Sequence, residues 1–214
     1  FCFYYWMFFP KDTLEFSDQF LTAKAAQPQH LEAWKRNYLR FVKRCILLTG
    51  GRQFISKNPP NTARIPLLLE LFPDAKFIFL HRNPYEVVRS TFRFYKGVLP
   101  AQQHQSISDE ELETQVLRIY QELHDKFLND RSLIPKGNLV ELAFENFVAD
   151  PLNTARTIMD QFGVPTQIKP RTWQKYGQNH RGAKHYEYSP GWIQQVNTQL
   201  GSYFEEFEYA MQKD

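Results

Sequence analysis

Cysteine is scarce in this sequence: only Cys2 and Cys45 occur among 214 residues, which excludes the disulfide framework of a small secreted scaffold. No Cys/His spacing of the zinc type is present either. No apolar run approaches the roughly 18 to 20 residues that cross a bilayer as a helix. The opening Phe1-Cys-Phe-Tyr-Tyr-Trp-Met-Phe-Phe9 is apolar but short and lacks the basic start of a secretory signal, so it reads as a buried segment. Neither sign of charge dominates: 26 Lys and Arg against 23 Asp and Glu leave +3, too little to argue for a nucleic-acid partner. Repeats and low-complexity linkers are missing, and so is the Gly-x-x-x-x-Gly-Lys-Ser/Thr signature of P-loop kinases. An initiator Met is missing too, which gives the expectation that the domain is incomplete at its N-terminus.

What is present suits one globular domain over residues 1–214. A chain of this length buries roughly 70 % of its unfolded surface and needs no staple. Hydrophobic residues at 43 % and charged residues at 23 % are ordinary, while 19 Phe and 11 Tyr predict a bulky core. The spacing of Trp34, Tyr38, Phe41, Val42 and Cys45 predicts a helix over Leu31 to Leu48, stopped by Gly50-Gly51. Gln53-Phe-Ile-Ser56 is a short strand candidate, and Lys57-Asn-Pro-Pro-Asn61 a turn. Helices follow over Ala63 to Leu71 and Pro84 to Tyr95, with a strand from Phe77 between them. Leu99 to Ile107 is polar and reads as a mobile loop. Ser108 and Glu111 form a capping-box signature for a helix whose buried stripe is Leu112, Val116, Ile119, Leu123 and Phe127. Leu139 to Ala143 is a second strand from this half, Pro151 to Phe162 a helix, and Pro190 to Met211 an amphipathic closing helix. Strands alternating with helices predict an α/β fold with a mostly parallel sheet.

The densest information lies in Phe77-Ile-Phe-Leu-His-Arg82-Asn-Pro-Tyr-Glu-Val-Val-Arg-Ser90. An apolar run between Pro73 and Pro84 is the pattern of a buried parallel strand. Pro84 fits the first turn of a helix, where its missing N–H costs nothing. Free N–H groups and a positive dipole end therefore gather where the strand stops, beside an Arg able to grip phosphate with two donors. Such a place, at the carboxyl edge of an open α/β sheet, is an anion site.

With Lys57 upstream, this block resembles the family of sulfotransferases that use 3′-phosphoadenosine 5′-phosphosulfate (PAPS). Lys57-Asn-Pro-Pro-Asn-Thr-Ala-Arg64, Leu71-Phe-Pro-Asp-Ala-Lys-Phe77, Phe144-Glu-Asn-Phe-Val-Ala-Asp-Pro151 and His185-Tyr-Glu-Tyr188 are similar to landmarks of its bacterial and carbohydrate-type members. The resemblance implies a P-loop-like, three-layer α/β fold, its mostly parallel sheet flanked by helices. It also implies transfer of a sulfuryl group from PAPS to a hydroxyl or amine on a carbohydrate, lipid or small metabolite, without a metal. Arg82 and Ser90 match the residues that hold the 3′-phosphate. Lys57 matches the strand-end lysine that meets the transferring group, and Arg181 the late basic segment that closes over the 3′-phosphate. Phe144 stands where many members carry a tyrosine near the adenine.

Two departures bear on chemistry. The Gly-Thr-Thr type turn that cradles the 5′-phosphosulfate is not in this sequence: Thr49-Gly-Gly-Arg52 lacks the paired hydroxyls and reads as a helix stop. A module that binds nucleotide through the 3′-phosphate half-site alone, without catalysis, is therefore the alternative. Pro59 occupies the position where cytosolic members have a histidine, so the general base stays open; His81 more simply packs against a neighbour. A cytoplasmic, non-membrane-spanning enzyme with a small-molecule or carbohydrate acceptor and no nucleic-acid partner is the resulting expectation.

Overall fold

The aromatic opening run folds as helix α1 (Phe3–Phe8) and is followed by a short helix α2 (Thr13–Phe16). The computed structural model describes residues 3–165 and 188–213. By its contacts the chain forms two units, Phe1–Ala75 with Ser90–Ile134, and Lys76–Arg89 with Pro135–Asp214.

In the first unit, Trp6, Leu21 and Ile119 form a buried cluster, with Leu14, Phe16, Tyr95 and Leu123 packed around it. Tyr5, next to Trp6 on α1, stacks on Phe16 at 5.1 Å but is 46 % exposed. Helix α3 (Pro28–Leu48) ends at Gly50 and Gly51, whose φ values of +71° and +80° suit residues without a Cβ. The Gly51 N–H caps the Ile46 carbonyl at 2.8 Å. Helix α4 (Ile65–Leu71) tolerates Pro66 in its first turn. Just before it, Arg64 is only 4 % exposed. Its guanidinium donates to the Phe20 carbonyl at 2.7 Å and lies 5.2 Å from the Trp34 ring, and burial lowers its pKa to about 10. Helix α5 (Pro84–Val98) begins in the second unit and ends in the first. Helix α6 (Asp109–Asp130) starts with the expected capping box. Ser108 Oγ accepts from the Glu111 N–H at 3.1 Å, and the Ser108 N–H donates to Glu111 Oε2 at 2.9 Å. Its stripe buries Leu112, Val116, Ile119 and Phe127.

In the second unit, β1 (Phe77–His81) pairs in parallel with β2 (Leu139–Ala143), Phe77 opposite Leu139 and His81 opposite Ala143. Among the described residues these two strands make the whole sheet. Helices α7 (Phe144–Ala149) and α8 (Pro151–Gln161) follow β2 directly. Asp150 caps α8 by accepting from the Asn153 N–H at 3.3 Å. Helix α9 (Pro190–Glu206) bends at Leu200 and supplies most of the core, where Val196, Leu200, Tyr203 and Phe204 join Tyr85 and Val88. Parallel strands joined through helices make this an α/β fold.

Several expectations need correcting. Gln53–Ser56 has no regular secondary structure and pairs with no strand of the described residues, and Ile55 is 81 % exposed. Lys57 therefore follows an unpaired segment rather than closing a strand. Phe41 lies outside the buried stripe of α3, being 55 % exposed, because it is turned about 100° round the helix from Val42. Leu99 to Ile107 is tied down: Leu99 is buried in a 3-10 turn over Leu99–Ala101. The His104 N–H donates to the Phe8 carbonyl at 2.8 Å, and Gln105 bonds Lys11 N–H and Asp12. The closing helix stops at Glu206, and residues 207–213 continue without helix.

Candidate functional site

Arg82 sits where β1 gives way to α5. Asn83 starts the helix: its Oδ1 accepts from the Tyr85 N–H at 3.0 Å, and its carbonyl from the Val87 N–H at 3.2 Å. One buried hydroxyl fixes the Arg82 peptide from both sides. Tyr203 Oη donates to the Arg82 carbonyl at 3.1 Å and accepts from the Arg82 N–H at 3.4 Å. The guanidinium lies over the Phe144 ring at 4.6 Å and pairs with Glu86. Arg82 Nε is shielded and has no hydrogen-bond partner among the described residues. A planar guanidinium held against an aromatic face has the donor geometry for an oxyanion, which would compete with Glu86 for it.

Next to it, His81 stacks on Phe207 at 4.4 Å and meets Tyr209 Oη through Nδ1 at 3.0 Å. Tyr209 donates to Glu145 Oε2 at 3.0 Å. A phenol has one proton, and here the carboxylate takes it. His81 Nδ1 must then be the donor to Tyr209, which leaves Nε2 as the basic nitrogen. Burial lowers the His81 pKa, against the pull of Glu145 and Glu141. Burial first, and then the Glu145 charge, raises that of Tyr209. A cleft of about 310 Å³ opens here at the carboxyl ends of both strands, lined by His81, Glu141, Ala143, Asn146, Phe207 and Glu208 among others. Its carboxylates make it a poor seat for phosphate, unlike the Arg82 side of the same strand end.

Of the residues singled out in the sequence, Arg82 belongs to the second unit and Lys57 and Ser90 to the first. Ser90 is exposed on α5, and Lys57 is exposed just before the 3-10 turn Pro59–Ala63. Arg181 and the segment His185 to Glu187 lie outside the described residues. Glu86, Glu145, Tyr203 and Tyr209 were not singled out. The spacing of Glu86 from Arg82 was a usable signal, whereas the tail tyrosines gave none. Among the described residues no group of three or more His, Cys, Asp or Glu could hold a metal ion, and no helix is long and apolar enough to cross a membrane.

Comparison with known proteins now decides the family. The model of the sulfotransferase family matches residues 7–168. The chain belongs to the sulfotransferase family. It is 32 % identical over 147 residues to omega-hydroxy-beta-dihydromenaquinone-9 sulfotransferase Stf3 of Mycobacterium bovis, and equally to Stf3 of Mycobacterium tuberculosis. Each match takes in 69 % of this chain but 38 % of the relative, so the chain spans well under half the length of these relatives. No solved structure matches it.

Proposed function

We propose that this sulfotransferase-family chain carries the 3′-phosphate half of a PAPS site and serves the transfer of a sulfuryl group to a hydroxyl acceptor. The observation that carries the reading is the Arg82 guanidinium, half-buried over the Phe144 ring at the carboxyl end of a parallel strand. Arg82 and Ser90 hold the 3′-phosphate, and Arg181 closes over it. Lys57 neutralises charge developing on the leaving phosphate. The surrounding fold is the three-layer, P-loop-like sheet of the family, with the two described parallel strands as its part in this unit. The donor is PAPS, and the chemistry needs no metal.

The transfer is largely a matter of positioning and charge stabilisation, as in phosphoryl transfer. The acceptor oxygen forms a bond to sulfur while the bond from sulfur to the bridging phosphate oxygen breaks. The electron pair leaves with adenosine 3′,5′-bisphosphate, and the acceptor proton passes to a base. Lys57 acts on the bridging oxygen, where an ammonium is worth most as the bond breaks. The relatives are named for a hydroxyl-bearing menaquinone derivative, which supports a hydroxyl on a lipid or small metabolite over an amine as the acceptor here.

Calorimetric titration with adenosine 3′,5′-bisphosphate, beside adenosine 5′-monophosphate, tests the reading. Selective binding of the bisphosphate is expected. Equal binding of both, or none by the folded chain, removes the 3′-phosphate site. Selective binding without sulfuryl transfer to any hydroxyl acceptor would instead favour a nucleotide-binding module without catalysis.

A further inference from the structure

From Ala33 to Leu69 the sequence contains no acidic residue and eight Lys and Arg. Most of that charge is on α3. With about 100° between successive residues, Arg36, Arg40, Phe41, Lys43, Arg44, Leu47 and Leu48 fall within one arc of about 160° of the helix. Trp34, Tyr38, Val42 and Cys45 occupy the other side, which is buried or half-buried. Exposure follows the arc: Phe41 is 55 %, Leu47 79 % and Leu48 85 % exposed. The segment after α3 adds to the apolar surface, since Ile55 is 81 % exposed and Phe54 meets the Phe41 ring edge-on at 6.1 Å. The nearest acids in sequence, Glu32 and Glu70, are both engaged by Lys35, at 2.7 and 2.5 Å, on the opposite side of the helix. Large apolar tips thus protrude from a helix face whose own charges are all positive.

We propose that this face of α3 docks on the surface of an anionic lipid bilayer. Protruding Phe and Leu tips fit the boundary between headgroups and acyl chains, while long Lys and Arg side chains keep their charges at the headgroups. Anionic headgroups supply the countercharge that the segment lacks. A second copy would set like charge against like charge. A nucleic acid would engage the cations but leave Phe41, Leu47, Leu48 and Ile55 in water. The inference does not depend on the sulfuryl-transfer reading, although it would bring the protein to where lipid acceptors reside.

Co-sedimentation of the chain with vesicles of phosphatidylcholine, with and without phosphatidylglycerol, tests it. Binding to the anionic vesicles alone, weakened by added salt, is expected. Arg40→Ser and Arg44→Ser should each lower the partition coefficient about fivefold. Leu47→Ser with Leu48→Ser should lower it about tenfold or more. All four positions are exposed, so circular dichroism and the thermal midpoint should stay at wild-type values. No binding to anionic vesicles, equal binding to neutral ones, or variants that bind like wild type would overturn the proposal. Unchanged adenosine 3′,5′-bisphosphate affinity in the same variants would confirm that the two surfaces are separate; a parallel loss would attribute the vesicle result to general damage and overturn the assignment to this face.

Discussion

Arg82→Ala is the substitution that bears hardest on the proposed donor site. Among the described residues the guanidinium meets Glu86 and the Phe144 face. The ion pair is partly solvated, with side-chain exposures of 30 % and 27 %, so its worth stays below about 1 kcal/mol. The cation–π contact adds about 0.5 to 1 kcal/mol. The cost of the substitution to folding is therefore on the order of 1 kcal/mol, since the peptide itself stays clamped by Tyr203. A phosphate contact made by a charged donor is worth about 1.5 to 3 kcal/mol, or roughly 10- to 150-fold in Kd. Calorimetry should accordingly show a loss of one to two decades for adenosine 3′,5′-bisphosphate and almost none for adenosine 5′-monophosphate. Arg82→Lys keeps the charge but not the fork and should recover only part of the loss. Glu86→Gln removes the carboxylate that a phosphate must displace while keeping the side-chain volume, and should tighten bisphosphate binding by up to about fivefold. Unchanged selectivity in Arg82→Ala would refute the assignment. A loss in Glu86→Gln as large as in Arg82→Ala would show that Glu86 builds the site and does not compete for it.

Lys57→Ala should lower the turnover number for sulfuryl transfer far more than donor affinity, because its contact strengthens as the leaving oxygen gains charge; an unchanged turnover number removes it from the mechanism. Ser108→Ala should cost about 1 kcal/mol by opening the capping box of α6, read as a fall of about 2 to 4 °C in thermal midpoint for a chain of this size. Burial lowers the pKa of His81, against the opposing pull of Glu145 and Glu141, in a cleft that Glu206 and Glu208 also line and where Tyr209 meets the ring. Its folded pKa lies below the unfolded value near 6.5, so its contribution is complete above that pH and is lost as pH falls through it. Urea unfolding should show stability falling between about pH 7 and 5, with a shallower fall in His81→Gln; identical slopes would exclude His81 as the group responsible.

The sequence was most legible where one local rule governs each residue. Gly50 and Gly51 end α3 because each sits at positive φ, and Ser108 and Glu111 announce α6 because the capping box is written at fixed spacing. The β1 run and the Pro84 start of α5 were legible for the same reason, since apolar β-formers and a proline leave few alternatives, but the strand is not buried as its composition suggested: Ile78 is 55 % and Leu80 46 % exposed. Gln53–Ser56 has the composition of a strand as well, but a strand also needs a neighbouring edge, and composition holds no information about which edge is near. Leu99 to Ile107 looked mobile because it is polar; its hydrogen bonds go to Phe8, Lys11 and Asp12, some ninety residues earlier in the chain.

The same distinction separates the two halves of the candidate site. The identity of Arg82, and the helix start beside it, could be read from eight consecutive residues; that Asn83 and Glu145 take up N–H groups expected to be free there could not. What holds Arg82 in place could not, because Tyr203, Glu145 and Tyr209 reach it or its neighbours from 62 to 128 positions away. Anion binding by a lone arginine at a strand end is common chemistry; the selectivity of the site depends on a rigid peptide under that arginine. Tyr203 satisfies both the N–H and the carbonyl of Arg82 with one buried hydroxyl. Tyr203→Phe should therefore leave two backbone groups without their partner and destabilise the fold by about 1 to 3 kcal/mol. If the clamp also sets the aim of the guanidinium, Tyr203→Phe will narrow the preference for bisphosphate over monophosphate as well, and will have no further effect on that preference once Arg82 is alanine. A preference that survives Tyr203→Phe intact would make the hydroxyl a fold element only.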